Sequence, residues 1–321
     1  MSQRVAVLCG GIGGSRLVTA LARLVAPDNL TCVVNTADDH WRYGLRICPD
    51  LDTNLYALAG LTSRAQGWGL EGDTFRAMER LGELGEDAWF ALGDRDLATH
   101  LLRTGWLRQG RSLTAVTAEL ARRMGVGTRL LPMTEAEVET RVLTATSERS
   151  FEEYLVRDAA GGSVVGVEYR GIEGSTPAPG VLDAIAAANV VVLGPSNPIS
   201  SLGPILGVSG MRAAVRDSPA RVVGVTSVVA NVPIRDPGEE RRAQCRSALL
   251  ASRGLPHTAS AVAGLFADLL DVFVLDDADE GDAADAIRAP GVEVRVVPTV
   301  VAGDAVAAGR LARVVLEAET P

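Results

Sequence analysis

The first forty residues constrain the fold more than any other stretch. RVAVLC, residues 4–9, is a short Val-rich run bounded by glycines and reads as a buried parallel strand. GGIGG follows, and SRLVTALARLV then carries apolar residues at helical spacing, with Ser15 as a candidate N-cap. LTCVVNT is a second strand. Strand, glycine-rich turn, helix and strand make a βαβ opening, which needs a parallel sheet covered on both faces. The alternation resumes after residue 181, where NVVVLG, RVVGVTS, VFVLD and VEVRVV read as strands with helices between and after them. Residues 74–84 and 95–125 have helical spacing, and 140–172 turns to a β pattern. The expected fold is α/β. It is a doubly wound, mostly parallel Rossmann-like sheet in a single domain over residues 1–321, with a helical and β insertion over 60–175. The sequence holds no repeat, low-complexity tract or clear linker, and GDAADA near 281 is the best candidate for a mobile surface segment.

In such sheets ligands sit beyond the carboxyl ends of the strands. The chemistry-bearing stretches fall there: GGIGGS, NTADD and GPSNP. The net charge of −9 argues against a general nucleic-acid binder. There is neither a signal-peptide pattern nor an apolar run of the roughly 18 residues that a membrane span needs, so the expected location is cytoplasmic. The four cysteines lack paired spacing and read as reduced thiols. All 31 basic side chains are Arg. An anion site here must therefore use Arg forks, backbone N–H groups or a metal.

Gly10, Gly11, Gly13 and Gly14 suit a turn that lets the backbone approach a phosphate at a helix N-terminus, although a tight turn alone would also use them. The dinucleotide fingerprint fails, because position 16 is Arg where it needs a small residue, and the P-loop pattern fails for want of Lys. NTADDHWRYGLRICPDLDT collects Asn35, Asp38, Asp39, Asp50 and Asp52 after the second strand. One acid suffices to bind a ribose. A cluster repels itself unless a cation or arginines intervene. Asp50 and Asp52, two residues apart, reach one side of an extended segment and suit Mg²⁺, which takes one or two carboxylates plus phosphate oxygens. Asp94, Arg95 and Asp96 stand where a helix begins; Asp94 suits an N-cap and Arg95 a phosphate or ring partner. Ser196 and Asn197 present polar groups in a Pro-fixed loop that is no G-x-S-x-G elbow.

Taken together and in order, NTADDHWRYGLRICPDLDT, GWGLEGDTF, LGDRDLATHLLRTGWL, LPMT and LGPSNPISSLGPIL resemble the 2-phospho-L-lactate transferase family of coenzyme F420 biosynthesis, or its actinobacterial phosphoenolpyruvate-type form. The resemblance covers about residues 4–280. It implies a guanosine diphosphate ester of lactate or enolpyruvate as donor and the ribityl hydroxyl of deazariboflavin Fo as acceptor. GMP leaves, Mg²⁺ is required and the enzyme is a homodimer. On this reading Asp50 and Asp52 hold Mg²⁺ or face the acceptor, and either serves as base. The Gly10–Gly14 turn holds the diphosphate or nucleotide, and Asn35 and Asp38 are further substrate-binding candidates. Asp94, Arg95 and Asp96 line the acceptor side, Ser196 and Asn197 the donor side, and Trp41 and Tyr43 flank the ring or fill core.

The chain departs from the family where SPIIGG and later glycines are usual. Here it reads TSVVANVPIRDPGEE, with Ala230, Asn231 and Asp236 at the glycine positions. The three-carbon unit, lactyl, enolpyruvyl or glyceryl, stays open on that ground. Two other readings are a nicotinamide-dependent dehydrogenase, which Arg16 opposes, and a non-catalytic nucleotide-binding regulator, which would not need the aspartate run.

Overall fold

The computed structural model describes residues 3–317 apart from 64, 65, 235, 289, 290 and 302. Its strands in chain order are β1 Val5–Cys9, β2 Leu30–Val34, β3 His40–Arg42, β4 Leu45–Ile47, β5 Arg129–Pro132, β6 Glu139–Thr144, β7 Glu148–Ser150, β8 Val164–Arg170, β9 Val190–Leu193, β10 Arg221–Val225, β11 Val272–Leu275 and β12 Glu293–Val296. Seven form one parallel sheet in the order β12-β11-β10-β9-β1-β2-β5. The chain leaves β1 toward β2 on one side and returns to its other side at β9. The connections at their carboxyl ends therefore diverge and leave a crevice.

Side chains alternate across this sheet. Val5, Val7 and Cys9 pack with Leu17, Val18 and Leu21 of helix α1 (Gly11–Leu21) and with the helix Ala305–Leu316, whereas Ala6 and Leu8 join the core on the opposite face. Both faces are buried, which is why the strands read as continuous apolar runs. Among the described residues no helix is long and apolar enough to cross a membrane.

Three expectations need correction. Helix α1 begins at Gly11, so Ser15 lies inside it and donates to the Ile12 carbonyl at 2.9 Å instead of capping. The stretch 60–175 is not wholly an addition to the core, because β5 within it pairs with β2. PDLDT is not extended: Pro49–Leu58 is a helix, α2, with Pro49 in its first turn, where a missing N–H costs nothing. The GDAADA segment near 281 enters a helix at Asp282.

Two small sheets flank the crevice. Strands β3 and β4 form a hairpin closed by Tyr43 and Gly44, both with positive φ (49° and 72°), as a two-residue turn between twisted strands requires. Tyr43 holds this uncommon conformation with its hydroxyl donated to the Asp87 carbonyl at 2.8 Å and its ring packed toward Ile47, Met78 and Leu92. It is half-buried and packs against that small core. The antiparallel strands β7, β6 and β8 make the second sheet.

Candidate active site

Asn35 follows β2 directly and organises the crevice. Its Oδ1 accepts from the Ala37 N–H (3.0 Å), which turns the chain, and its Nδ2 donates to both Asp38 Oδ2 and Asp50 Oδ2 at 2.9 Å. One amide thus ties two buried carboxyls together. Asp50 Oδ1 accepts from the Gly11 N–H at 2.7 Å. Gly10 has no side chain with which to cap α1, so a carboxylate from α2 does it. A Cβ on Gly10 would stand 2.2 Å from Asp50 Oδ2, and one on Gly13 2.2 Å from the Pro195 carbonyl. The glycine turn therefore interlocks with α2 on one side and the β9 loop on the other. Ser196 completes the lock, with Oγ accepting from Gly10 N–H (2.9 Å) and donating to the Gly10 carbonyl (2.8 Å). Asn197 Oδ1 accepts from the N–H groups of Ile199 and Ser200 and shapes the loop.

Burial, then repulsion from Asp50 and the half-buried Glu152, raises the Asp38 carboxyl well above its ordinary range. Burial lifts Asp50 to about 6 against the bonds from Asn35 and Gly11, and burial with the nearby Asp50 lifts Glu152 to about 8. Asp38 Oδ1 is buried near the Thr140 hydroxyl, which favours its charged form, but meets no partner at full hydrogen-bond geometry. Clustered acids with an unused lone pair and no paired arginine call for a cation. Their all-oxygen donor set suits a hard ion such as Mg²⁺. The structure brings Asp38 and Asp50 together on the Asn35 amide.

It does not bring Asp52 there. On a helix, residues two apart project to different sides, so the expectation drawn from an extended segment is corrected. Asp52 faces helix α4 (Asp96–Arg108) and takes both terminal nitrogens of Arg103, which is 1% exposed. Burial disfavours the guanidinium charge, but Asp52 outweighs it and the pKa of Arg103 rises. Arg103 also donates to His100 Nδ1 (3.2 Å), and His100 Nε2 lies 3.1 Å from Asp96 Oδ2. Tyr56 donates to Asp96. Asp52, Asp96 and His100 lie close enough together to hold a metal, but the Arg103 guanidinium already supplies the positive charge. Burial works against the Asp96 charge, yet His100 and Tyr56 keep its pKa below the usual range.

Asp94 caps a helix, though not the one it precedes. It accepts from Arg76 and Ala77 N–H at the start of helix α3 (Arg76–Glu83), while Asp73 accepts from Arg95 and Asp96 N–H at the start of α4. Arg95 donates to the Glu71 carbonyl. These residues fasten two helix ends to each other.

Beside Asp38 opens a cleft of about 520 Å³ between the β3–β4 hairpin and the three-stranded sheet. Trp41, half exposed, lines it with Asp39, His40, Arg42, Arg46 and Trp89. Sequence reasoning singled out Trp41 but passed over His40, Arg46 and Trp89. For His40 and Arg46 the signal was the mixture of aromatic and charged residues in the run 35–53, whereas Trp89 lies outside that run and had no such signal. Ser200 in the β9 loop also has a buried hydroxyl without a partner.

Acids and a glycine turn at the switch point of a doubly wound sheet, beside a charged cleft that also carries Trp41 and Trp89, suit a protein that works on phosphate esters, and comparison with known proteins makes this one a phosphotransferase. The chain belongs to the 2-phospho-L-lactate transferase CofD family, whose model matches residues 5–296, and it is a transferase of coenzyme F420 biosynthesis. It is similar to the phosphoenolpyruvate transferases of Streptomyces griseus subsp. griseus (40% identical over 320 residues, 98% of each chain), Streptomyces coelicolor (43% over 302 residues, 92% of each) and Nocardia farcinica (39% over 308 residues, 92% of this chain and 89% of that one). In fold it resembles protein BH3568 from Bacillus halodurans, with a TM-score of 0.67 at 19% identity, covering 98% of this chain and all of the other.

Proposed function

We propose that this protein transfers a phosphoenolpyruvyl group from a guanylylated donor to the terminal ribityl hydroxyl of deazariboflavin Fo, with Mg²⁺, releasing GMP. The observation that carries the reading is the Asn35-bridged pair Asp38 and Asp50, built against the glycine turn and next to a largely charged cleft that also carries Trp41 and Trp89. The hydroxyl oxygen bonds to the donor phosphorus that bears the three-carbon unit. The bond from that phosphorus to the GMP oxygen breaks, GMP keeps the electron pair, and the hydroxyl proton passes to a carboxylate. A loose phosphoryl transition state asks little of a base and much of positioning and charge neutralisation.

Asp38 and Asp50 would hold Mg²⁺, whose charge would neutralise phosphate oxygens in a chain without Lys. The Gly11 N–H is already committed to Asp50, which strengthens the need for that cation. Asn35 orients both carboxyls. The β9 loop, with Ser196 and Asn197, walls the donor side, and the cleft takes the flat acceptor. A homodimer belongs to the same reading.

The name of the similar transferases favours the enolpyruvyl unit. The loop after β10 keeps a lactyl or glyceryl unit as a second reading, since its N–H groups at Ala230 and Asn231, where the family has glycines, donate to Asp279 and hold the loop toward β11. Incubation with Fo, Mg²⁺ and each guanylylated donor tests both. GMP release with a deazaflavin product heavier by the phosphoenolpyruvyl unit is expected. Absence of GMP release with all three donors would sink the transferase reading, and a faster reaction with another donor would replace the unit.

A further inference from the structure

The β3–β4 hairpin forms one wall of the cleft, and the chain joins it to the carboxyl cluster only at its base. Asp38 and Asp39 lead into β3, and Cys48 alone separates β4 from α2, the helix that carries Asp50. Two chain crossings at one end fix where a hairpin stands but not its angle, and a lone two-stranded unit is marginal in water. Helix α4 supplies the rest. Strand β4 pairs only with β3, so the backbone groups on its outer edge need other partners. Thr104 Oγ1 accepts from the Arg46 N–H at 2.8 Å, and Arg103 Nη1 approaches the Arg46 carbonyl at 3.4 Å. One turn further along α4, Arg108 Nη2 donates to the Gly44 carbonyl at 2.8 Å.

The same helix is clamped to α2 at two places. Arg103 forks onto Asp52, and Tyr56 donates to Asp96. α2 is locked in turn to the glycine turn, through Asp50 and the Gly11 N–H. α4 therefore spans from the hairpin to the element that carries the Asp50 carboxyl. The hairpin tip has other fastenings, from Arg42 and Tyr43 to the Asp87 carbonyl and from Trp41 Nε1 to Glu137, but these lie at the surface, where water competes for them. Arg103 and Thr104 are buried, so no water replaces their bonds.

We propose that α4 is a splint that sets the angle of the hairpin against Asp38 and Asp50, and that Thr104, acting through the Arg46 N–H, is a positioning residue for the transfer. The acceptor oxygen must stand in line with the donor phosphorus, and a misplacement of about 1 Å can cost about 10²-fold in rate. The hairpin walls the acceptor side, whereas α2 and the glycine turn hold the cation and donor side. A hairpin free to tilt would leave both substrates bound and their reacting atoms out of line. This rests on the transferase reading above and adds the residues that keep its two halves in register.

Thr104→Val keeps the shape of the side chain and removes its oxygen, and Thr104→Ser keeps the oxygen. Full-length variants are assayed with Fo, guanylylated phosphoenolpyruvate and Mg²⁺ well below their melting temperatures. Mn²⁺ binding and amide exchange are followed without substrates. Thr104→Val should lower kcat by about tenfold or more, with KM for Fo and Mn²⁺ affinity held within about threefold. It should speed amide exchange over residues 40–47 and not over 49–58, and Thr104→Ser should restore both readouts. A lower melting temperature with kcat unchanged, or an equal loss of kcat in Thr104→Ser, overturns the proposal. Where Thr104→Val does not fold, Arg108→Gln, which frees the Gly44 carbonyl at the surface, should lower kcat by about threefold at unchanged KM, and unchanged kcat there overturns it too. If the unmodified protein releases no GMP with any donor, the transferase reading falls, and amide exchange over 40–47 alone decides the splint.

Discussion

At the scale of single residues, Asp50 and Asp52 show how little sequence spacing says without the backbone. Both are buried, and they serve opposite sides of one helix. Removing one partner of a buried ion pair leaves the other charge uncompensated. Asp52→Asn is therefore expected to lower the unfolding free energy by about 3–5 kcal/mol in urea titration, and Asp52→Leu combined with Arg103→Met to recover most of it. Asp38 should behave in the reverse way. Asp38→Asn relieves repulsion, so stability should hold or rise, while the Mg²⁺ concentration for half-maximal turnover should increase by about tenfold or more. A variant at Asp38 with unaltered Mg²⁺ dependence would remove it from the cation site. The acid-rich character of this region was legible in the sequence. The partner of each acid was not, because Arg103 lies 51 residues from Asp52 and nothing local points to it.

At the scale of elements, the strands that build the sheet were legible where both faces are buried, since continuous Val-rich runs have few other uses. β5 was not, being four residues that end in Pro. α2 was misread although Pro49 at its start is a helix signal, because its alternating acids resemble a half-buried strand. The exchanged caps of α3 and α4 were equally hidden: each Asp caps a helix other than the one its position suggests. Asp73→Ala should cost about 1 kcal/mol and speed amide exchange in the first turn of α4. Asp94→Ala should do so only in α3. Exchange that speeds in both helices with either change would show the two caps to be one unit.

For the whole molecule, the buried acids link stability to pH. Asp50, Asp39 and Glu152 titrate in the fold at about 6, 7 and 8, raised in each case chiefly by burial. The unfolded chain releases those protons near pH 4. Between pH 4 and 8 the native state holds more protons, so stability should fall as pH rises across that window. Thermal melts without divalent cation should show this slope, and Glu152→Gln should flatten its upper part; a melting temperature that climbs from pH 5 to 8 would contradict the arrangement. Asp38 and Asp39 are consecutive, yet one turns to Asn35 and the other lines the cleft. Their Cα atoms are about 3.8 Å apart, a covalent distance that no conformational change can stretch. The protein would thus act as a ruler for its acceptor. Polyol tails one carbon shorter or longer than ribityl should occupy the cleft as inhibitors and receive no three-carbon phosphate group.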